Sequence, residues 1–449
     1  MPTKSRIIRD AVHGVSAFDS GLFPILDTLE LQRLRWIRQT GLVYIAYPGS
    51  EHSRFTHALG AYAVSDRVFD YLKRSSNEFA EWSPSKLTPE LRRVFNAAAL
   101  CHDLGHTAFS HLFEPSLLPE GIPTHEDCTL KLITEGPEIA EQLKNWCDRD
   151  QVVDLLRSKH WNLGLCSLLS GHVDVDRWDY LLRDAQGTGV RYGIFDLGWM
   201  IHSLSLRNLE TGQPVIVLDG KRGPAALQQF LSARRYMYRQ VYWHPTVLAA
   251  QWLLRAIFKR GLDPGRLGYE NKRERELVAP VLRGVMFHRR RPTLGEFLDM
   301  DDAVLLSTVR RWAAESRDPL LRGMSSCFIR RKLPKAIDLG SNVLDDRQLD
   351  LVRSAVRDGL KSVGNIKYEI DDGALDYLVS QDTQELKGGT VGNLLVDLNG
   401  QVKRLEDAAL DSIELKLVKD IDDGFRVSHL FVPEGTVEQV NQVLSAEGK

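Results

Sequence analysis

The stretch RFTHALGAYAVSDRVFDYLKRS (54–75) repeats apolar residues at three- and four-residue spacing, the period of an amphipathic helix. LELQRLRWIRQ (29–39) and PELRRVFNAAALCHDLG (89–105) read the same way, and helical signals fill most of the first 360 residues. A further helix is expected over PAALQQFLSARRYMYRQVYWH (224–244), with a kink or restart at Pro245. One segment interrupts the pattern. In SLRNLETGQPVIVLDG (205–220) a TGQP turn joins two short runs, the second rich in β-branched residues, which predicts a β-hairpin. From about residue 366 the pattern changes to strand-like runs (KYEID, GGTVGNLLVDLNG, IELKLVKD, FRVSHLFVP) and closes on a helix, TVEQVNQVLSAEG (436–448). The expected fold is mainly α: a helical core over 1–365 with a small hairpin, then a small α+β appendage over 366–449.

Charge divides at the same place. The chain carries 58 Lys and Arg against 60 Asp and Glu, net −2. Residues 366–449 hold 17 acids and 8 bases, net −9, leaving 43 acids and 50 bases, net +7, in residues 1–365. A basic body suits a polyanionic ligand such as a nucleotide or nucleic acid, the plainer reading being a solubilising surface. With 449 residues, 43% hydrophobic, the chain is neither disordered nor a small stapled scaffold. Cys101, Cys128, Cys147, Cys166 and Cys327 include no CxxC pair, so reduced thiols in a cytosol are expected. No run approaches a membrane span, and MPTKSRIIRDAVHG lacks the apolar stretch of a signal peptide. A soluble, cytoplasmic protein is therefore expected.

Histidine is concentrated where chemistry is expected. Of 13 histidines, His102, His106 and His111 fall inside HDLGHTAFSH (102–111), with His52, His57 and His125 nearby. Several histidines beside an aspartate suggest a metal site. Adjacent helical residues diverge by about 100°, so His102 and Asp103 need ligands from other segments. Arg54 and His57, three apart in RFTH, offer a guanidinium to a phosphate and an imidazole to a metal. In DVDRWDYLLRD (174–184), Asp176, Tyr180, Arg183 and Asp184 form one helical stripe, with Asp174 pointing elsewhere. That stripe is either a pocket wall or a solvated face. Arg234, Tyr238 and Tyr242 repeat at four-residue intervals before His244, and either line a polar pocket or pack as core tyrosines with hydroxyls at the rim.

The order His57, His102-Asp103, Asp176 resembles the signature of the HD-domain phosphohydrolases. DAVHG (10–14), DTLELQRLRWIRQTG (27–41), YPGSEHSRFTHALG (47–60), HDLGHTAFSH, THE (124–126) and DVDRWDYLLRD resemble the deoxynucleoside triphosphate (dNTP) triphosphohydrolases. The likeness runs over roughly residues 6–340 and is nearest to the branch of the human SAM-and-HD-domain enzyme and its bacterial relatives, without the SAM domain. It implies that His57, His102, Asp103 and Asp176 ligate a metal. It implies that His111 and Glu114 form a catalytic pair, with His106 and His125 as further active-site histidines. Arg54 and Arg234 match phosphate contacts, Gln39, Tyr180 and Tyr242 sugar contacts, and Asp184 the group receiving the 3′-hydroxyl. Thr40 departs from the apolar residue frequent at its position, which bears on deoxyribose selection. Asp27, Gln32 and Arg35, with Arg331 and Lys335, match an activator-nucleotide site at subunit contacts or else are ordinary surface charges. Homo-oligomers, dimers or tetramers, are implied.

The expected activity is metal-dependent hydrolysis of dNTPs to deoxynucleoside and inorganic tripolyphosphate. The His/Asp donor set fits Mn, Fe, Ni, Co or Zn, with Mn or Fe favoured and Mg on the substrate phosphates. His111, sharing a helical face with Glu114, is the expected acid for the 5′-oxygen. Two other readings stand beside it. A nucleotidase or cyclic-nucleotide phosphodiesterase of HD type is disfavoured by the Tyr180/Asp184 stripe and Arg234. A nucleotide or single-stranded nucleic-acid binding module with a vestigial site, suggested by the +7 body and HRRRP (288–292), is disfavoured by the complete ligand set and the lack of interleaved aromatics.

Overall fold

A computed structural model describes residues 5–75, 86–109, 124–209, 211–263, 272–287, 292–362, 375–387, 393–409, 412–422 and 424–446. Three helices form its heart. Arg54–Ser75 buries Ala58, Ala61, Val64, Val68 and Leu72 and packs against Pro89–Cys101 and Val175–Thr188. Each begins or ends on a local signal. Thr88 caps the second, accepting from the Leu91 amide at 3.1 Å, and Pro89 presets its first turn. Asp174 caps the third, accepting from the Arg177 amide at 2.9 Å. Gly60 lets the first and third helices touch: a Cβ there would run into the Asp179 carboxylate and the Arg183 guanidinium.

Two expected helices differ in detail. Over 29–39 only Leu29–Gln32 is α-helical, followed by a 3-10 turn at Arg33–Trp36 and a bridge from Arg38 to Ser53. Leu31, Leu34 and Ile37 are buried, but charged residues of the segment are also tied to distant backbone. Glu30 accepts from the Glu138 and Ile139 amides, and buried Arg33 donates to the Met300 carbonyl at 2.9 Å. Helix 89–105 ends at Cys101, so His102 is its cap and Asp103 lies in the turn beyond. Released from helical geometry, the two side chains face one centre. The helix Gly223–Met237 passes into a π-helical turn at Tyr238–Tyr242, and Pro245–Gly261 restarts behind a His244 cap.

The strands, in chain order, are β1 (Ser5–Asp10), β2 (Gly14–Asp19), β3 (Leu204–Asn208), β4 (Pro214–Asp219), β5 (Lys335–Gly340), β6 (Ser380–Leu386), β7 (Leu395–Leu398), β8 (Gln401–Arg404) and β9 (Phe425–Val432). β1 and β2 form an N-terminal hairpin in addition to the one expected. β3 and β4 are the expected hairpin, but β7 joins β4 in parallel and carries β8 on its far side. β9 lies between β5 and β6. Strands from beyond residue 366 thus complete sheets begun before it. IELKLVKD, expected as a strand, is the helix Ile413–Ile421: Ser412 caps it, and Leu415 and Val418 are buried at i and i+3 while Leu417 is exposed. The final helix spans Val437–Ala446, and KYEID lies outside the described residues. No described helix is long and apolar enough to cross a membrane.

Candidate metal centre and the adjoining cavity

His57, one turn into the first helix, and His102, at the end of the second, turn their Nε2 atoms to within 3.3 Å of each other. Asp176, in the first turn of the third, places Oδ1 3.1 Å from the His57 nitrogen and 3.3 Å from the His102 nitrogen. Asp103 completes the set, with Oδ1 3.3 Å from His102 Nε2 and Oδ2 3.7 Å from His57 Nε2. Ligands about 2.1 Å from a metal and at right angles to each other stand about 3.0 Å apart, so these spacings fit a single divalent ion. The outer nitrogens are already engaged: His102 Nδ1 donates to the Ala99 carbonyl at 2.8 Å, and His57 Nδ1 lies 2.7 Å from Asp179 Oδ2. Both rings are thereby fixed with Nε2 inward, the second-shell arrangement of histidine metal ligands.

The electrostatics also ask for positive charge. Burial opposes protonation of His57, but hydrogen bonds to Asp176 and Asp179 prevail and raise it to about 10. His102 rises to about 9, burial being outweighed by the charges of Asp103 and Asp176. The histidines in turn hold Asp176 well below the usual carboxylate range, against burial, and do the same, with Arg54, for Asp103. A divalent cation held by these residues would meet the same demand, with both histidines neutral.

Asp179 was not among the expected site residues. It is wholly buried and accepts from four donor atoms: His57 Nδ1, His13 Nε2 at 2.6 Å, and Arg183 Nε and Nη2 at 2.9 and 2.8 Å. Arg183 also pairs with Asp10 at 2.9 Å. The 176–184 stripe therefore divides. Asp176, Tyr180 and Asp184 line a cavity, while Arg183 turns inward to brace the carboxylate behind His57.

That cavity measures about 420 Å³ and borders the donor set at Asp176. Arg54, buried and paired with Asp103, and Arg177, paired with Asp174, supply positive charge there. Gln39, Tyr180, Asp184 and Tyr242 are on its walls. Asp184 is held at both oxygens: by His52 Nε2 at 2.7 Å and by the Tyr242 hydroxyl, which donates at 2.6 Å. The tyrosine stripe also divides. Tyr238 and Tyr242 face the cavity, whereas buried Arg234 does not line it, its guanidinium standing 5.8 Å from the centre of the Tyr238 ring. Thr40 lines the cavity with its hydroxyl 2.9 Å from that of buried Ser50.

His106 lies 3.3 Å from Asp103, stacks on His125 with ring centres 4.2 Å apart, and is pushed down to about 3 by burial and by Arg54. His125 lines a second cavity, also about 420 Å³, which reaches the donor set from His102, Asp103 and Asp176. His111 and Glu114 lie outside the described residues, as does most of HRRRP. Of the residues matched by resemblance to an activator-nucleotide site, Gln32 and Arg35 meet at 2.7 Å, with Arg35 over the Phe55 ring. Arg331 donates to the Ile45 carbonyl, Lys335 pairs with Glu434 at 3.0 Å, and Asp27 is exposed.

His57, His102 and Asp103, with Asp176 beside them, form a group that could hold one metal ion next to a cavity lined by arginines. No family model matches the chain. It is 32% identical over 343 residues to the uncharacterized protein YwfO of Bacillus subtilis, covering 76% of this chain and 73% of that protein. It is 26% identical over 270 residues to the human deoxynucleoside triphosphate triphosphohydrolase SAMHD1, covering 53% of this chain and 42% of that protein. A phosphohydrolase crystal structure from Bacteroides thetaiotaomicron superposes with a TM-score of 0.77 at 26% identity, covering 96% of this chain and all of that one. The chain belongs to the HD-domain phosphohydrolase family.

Proposed function

We propose that this protein hydrolyses deoxynucleoside triphosphates to deoxynucleoside and inorganic tripolyphosphate. The observation that carries the reading is the adjacency of the His57/His102/Asp103/Asp176 donor set to a cavity walled by Gln39, Tyr180, Asp184 and Tyr242. One part suits a polyphosphate and the other a sugar. A divalent ion bound there, Mn or Fe by donor type, supplies Lewis acidity and an activated water. The chain's own residues do the rest. Arg54 and Arg177 neutralise and orient the phosphates so that the α-phosphorus is presented for in-line displacement. Asp184, fixed on both oxygens, keeps acceptor capacity for the sugar 3′-hydroxyl. The Tyr180 ring occupies the face where a 2′-hydroxyl would lie. The departing 5′-oxygen takes its proton from His111, supported by Glu114. Mg accompanies the substrate phosphates, and an activator nucleotide at Gln32 and Arg35, across a homo-oligomer contact, belongs to the same reading.

The test is a product assay. Each dNTP is incubated with purified protein and Mn or Mg, and the phosphorus products are resolved by ³¹P NMR. Tripolyphosphate with free deoxynucleoside is the expected result, and orthophosphate or pyrophosphate would overturn it.

A further inference from the structure

We infer that the end of the cavity formed by Gln251, Arg255 and Gln384 reads the nucleotide base, and that Arg255 selects bases presenting a carbonyl oxygen over those presenting an amino group. The inference rests on the deoxynucleotide reading above and names the substrates that site prefers.

Leu248, Gln251 and Arg255 all line the cavity and stand at i, i+3 and i+7 of the Pro245–Gly261 helix, so one face of that helix forms the wall. At 1.5 Å per residue, Arg255 is about 15 Å along the helix axis from Pro245. Tyr242, just before that helix, already belongs to the Asp184 cluster. With phosphates at the donor set and the sugar at Asp184 and Tyr242, the base is left to face this wall. The facing strand is β6. Asp382 and Gln384 are two apart and share one side of it. Asp382 Oδ2 accepts from Gln384 Nε2 at 3.0 Å and from Arg255 Nη1 at 3.4 Å. One carboxylate thus holds both cavity-lining polar groups in place. The region beyond residue 366 thereby contributes directly to the site.

The chemistry of the set is asymmetric. A guanidinium has five N–H donors and no acceptor, and stays charged at any pH the protein meets. Asp382 takes one donor, and the buried Arg255 Nε has no partner among the described residues. A base edge facing it must accept. Guanine offers O6 and thymine offers O4, whereas adenine and cytosine place N6 and N4 amino donors at those positions; the N7 acceptor is common to both purines and does not discriminate. Donor set against donor leaves both without a partner, a loss equivalent to roughly five- to hundredfold in kcat/KM. Gln251 and Gln384, whose amides both donate and accept, do not impose that sign.

The experiment is steady-state hydrolysis of dATP, dCTP, dGTP and dTTP under one metal condition, with Arg255→Met and Arg255→Lys beside the wild type. The wild type is expected to favour dGTP and dTTP at least about fivefold, chiefly through KM, because the base is remote from the reacting phosphorus. Arg255→Met, which keeps the stem and loses every donor, brings the ratio to within about twofold. Arg255→Lys, still donor-only, retains part of it, which loss of packing alone would not produce. Equal turnover of all four by the wild type, or a ratio that survives Arg255→Met, overturns the base selection while leaving the triphosphohydrolase reading intact. Hydrolysis of none of the four removes that reading, and this inference falls with it.

Discussion

The donor end of the cavity and its far end are held in different ways. At the donor end the two histidines have buried partners behind them: Ala99 O behind His102, Asp179 behind His57, and His13 and Arg183 behind Asp179. At the far end Gln251, Arg255 and Gln384 are only half-buried, and one carboxylate tethers two of them. Buried, multiply held groups keep a fixed geometry, and unsatisfied partners there are costly. Half-exposed groups on a single tether tolerate exchange at little cost to folding. The donor end is built for one chemistry, and the far end can be retuned among substrates without disturbing it.

The contrast can be broken from either side. Removing two ligands together, His102→Ala with Asp103→Ala, should abolish metal retention and lower turnover by on the order of 10³-fold or more, checked by elemental analysis alongside activity. Asp179→Asn leaves the four ligands untouched but turns an amide donor toward groups that are already donors. Metal affinity should fall by about 10- to 100-fold, measured by chelator competition. An unchanged affinity would show that the buried backing does not matter. The smallest effect belongs nearer the sugar. Tyr242→Phe removes one of the two hydrogen bonds that hold Asp184, worth about 1 kcal/mol, and should raise KM several-fold with metal content unchanged.

Much of this site was legible because its residue types are chemically unusual where they stand. A histidine-rich segment beside an aspartate, and an Asp176/Tyr180/Asp184 stripe, are poor core faces, and they meet at the donor set and cavity. Asp179 escaped notice because a carboxylate on a helix ordinarily reads as surface. The available signal was its position one turn after Asp176, between buried Trp178 and Leu181, with Arg183 four residues on. His13 stands in the quoted DAVHG block, but its contact with Asp179 spans 166 positions and leaves no local trace. The helical core followed from period alone, but β7 beside β4 and β9 beside β5 are pairings of distant segments that leave no local trace. Ile413–Ile421 misled because Ile413, Leu415 and Leu417 alternate like a strand, while its Ser412 cap marks the start of a helix. Adjacent residues within a helix diverge, but this helix ends at Cys101 with His102 as its cap, and that lets His102 and Asp103 face one centre.

On the proposed reading the donor set and the adjoining cavity act on one substrate, cleaving it at the α-phosphorus. Phosphorus NMR of a dNTP digest in ¹⁸O-labelled water tests this most directly. The expected products are intact tripolyphosphate carrying the label on a terminal phosphate and an unlabelled deoxynucleoside. Label in orthophosphate or pyrophosphate, or in the nucleoside 5′-hydroxyl, would contradict it.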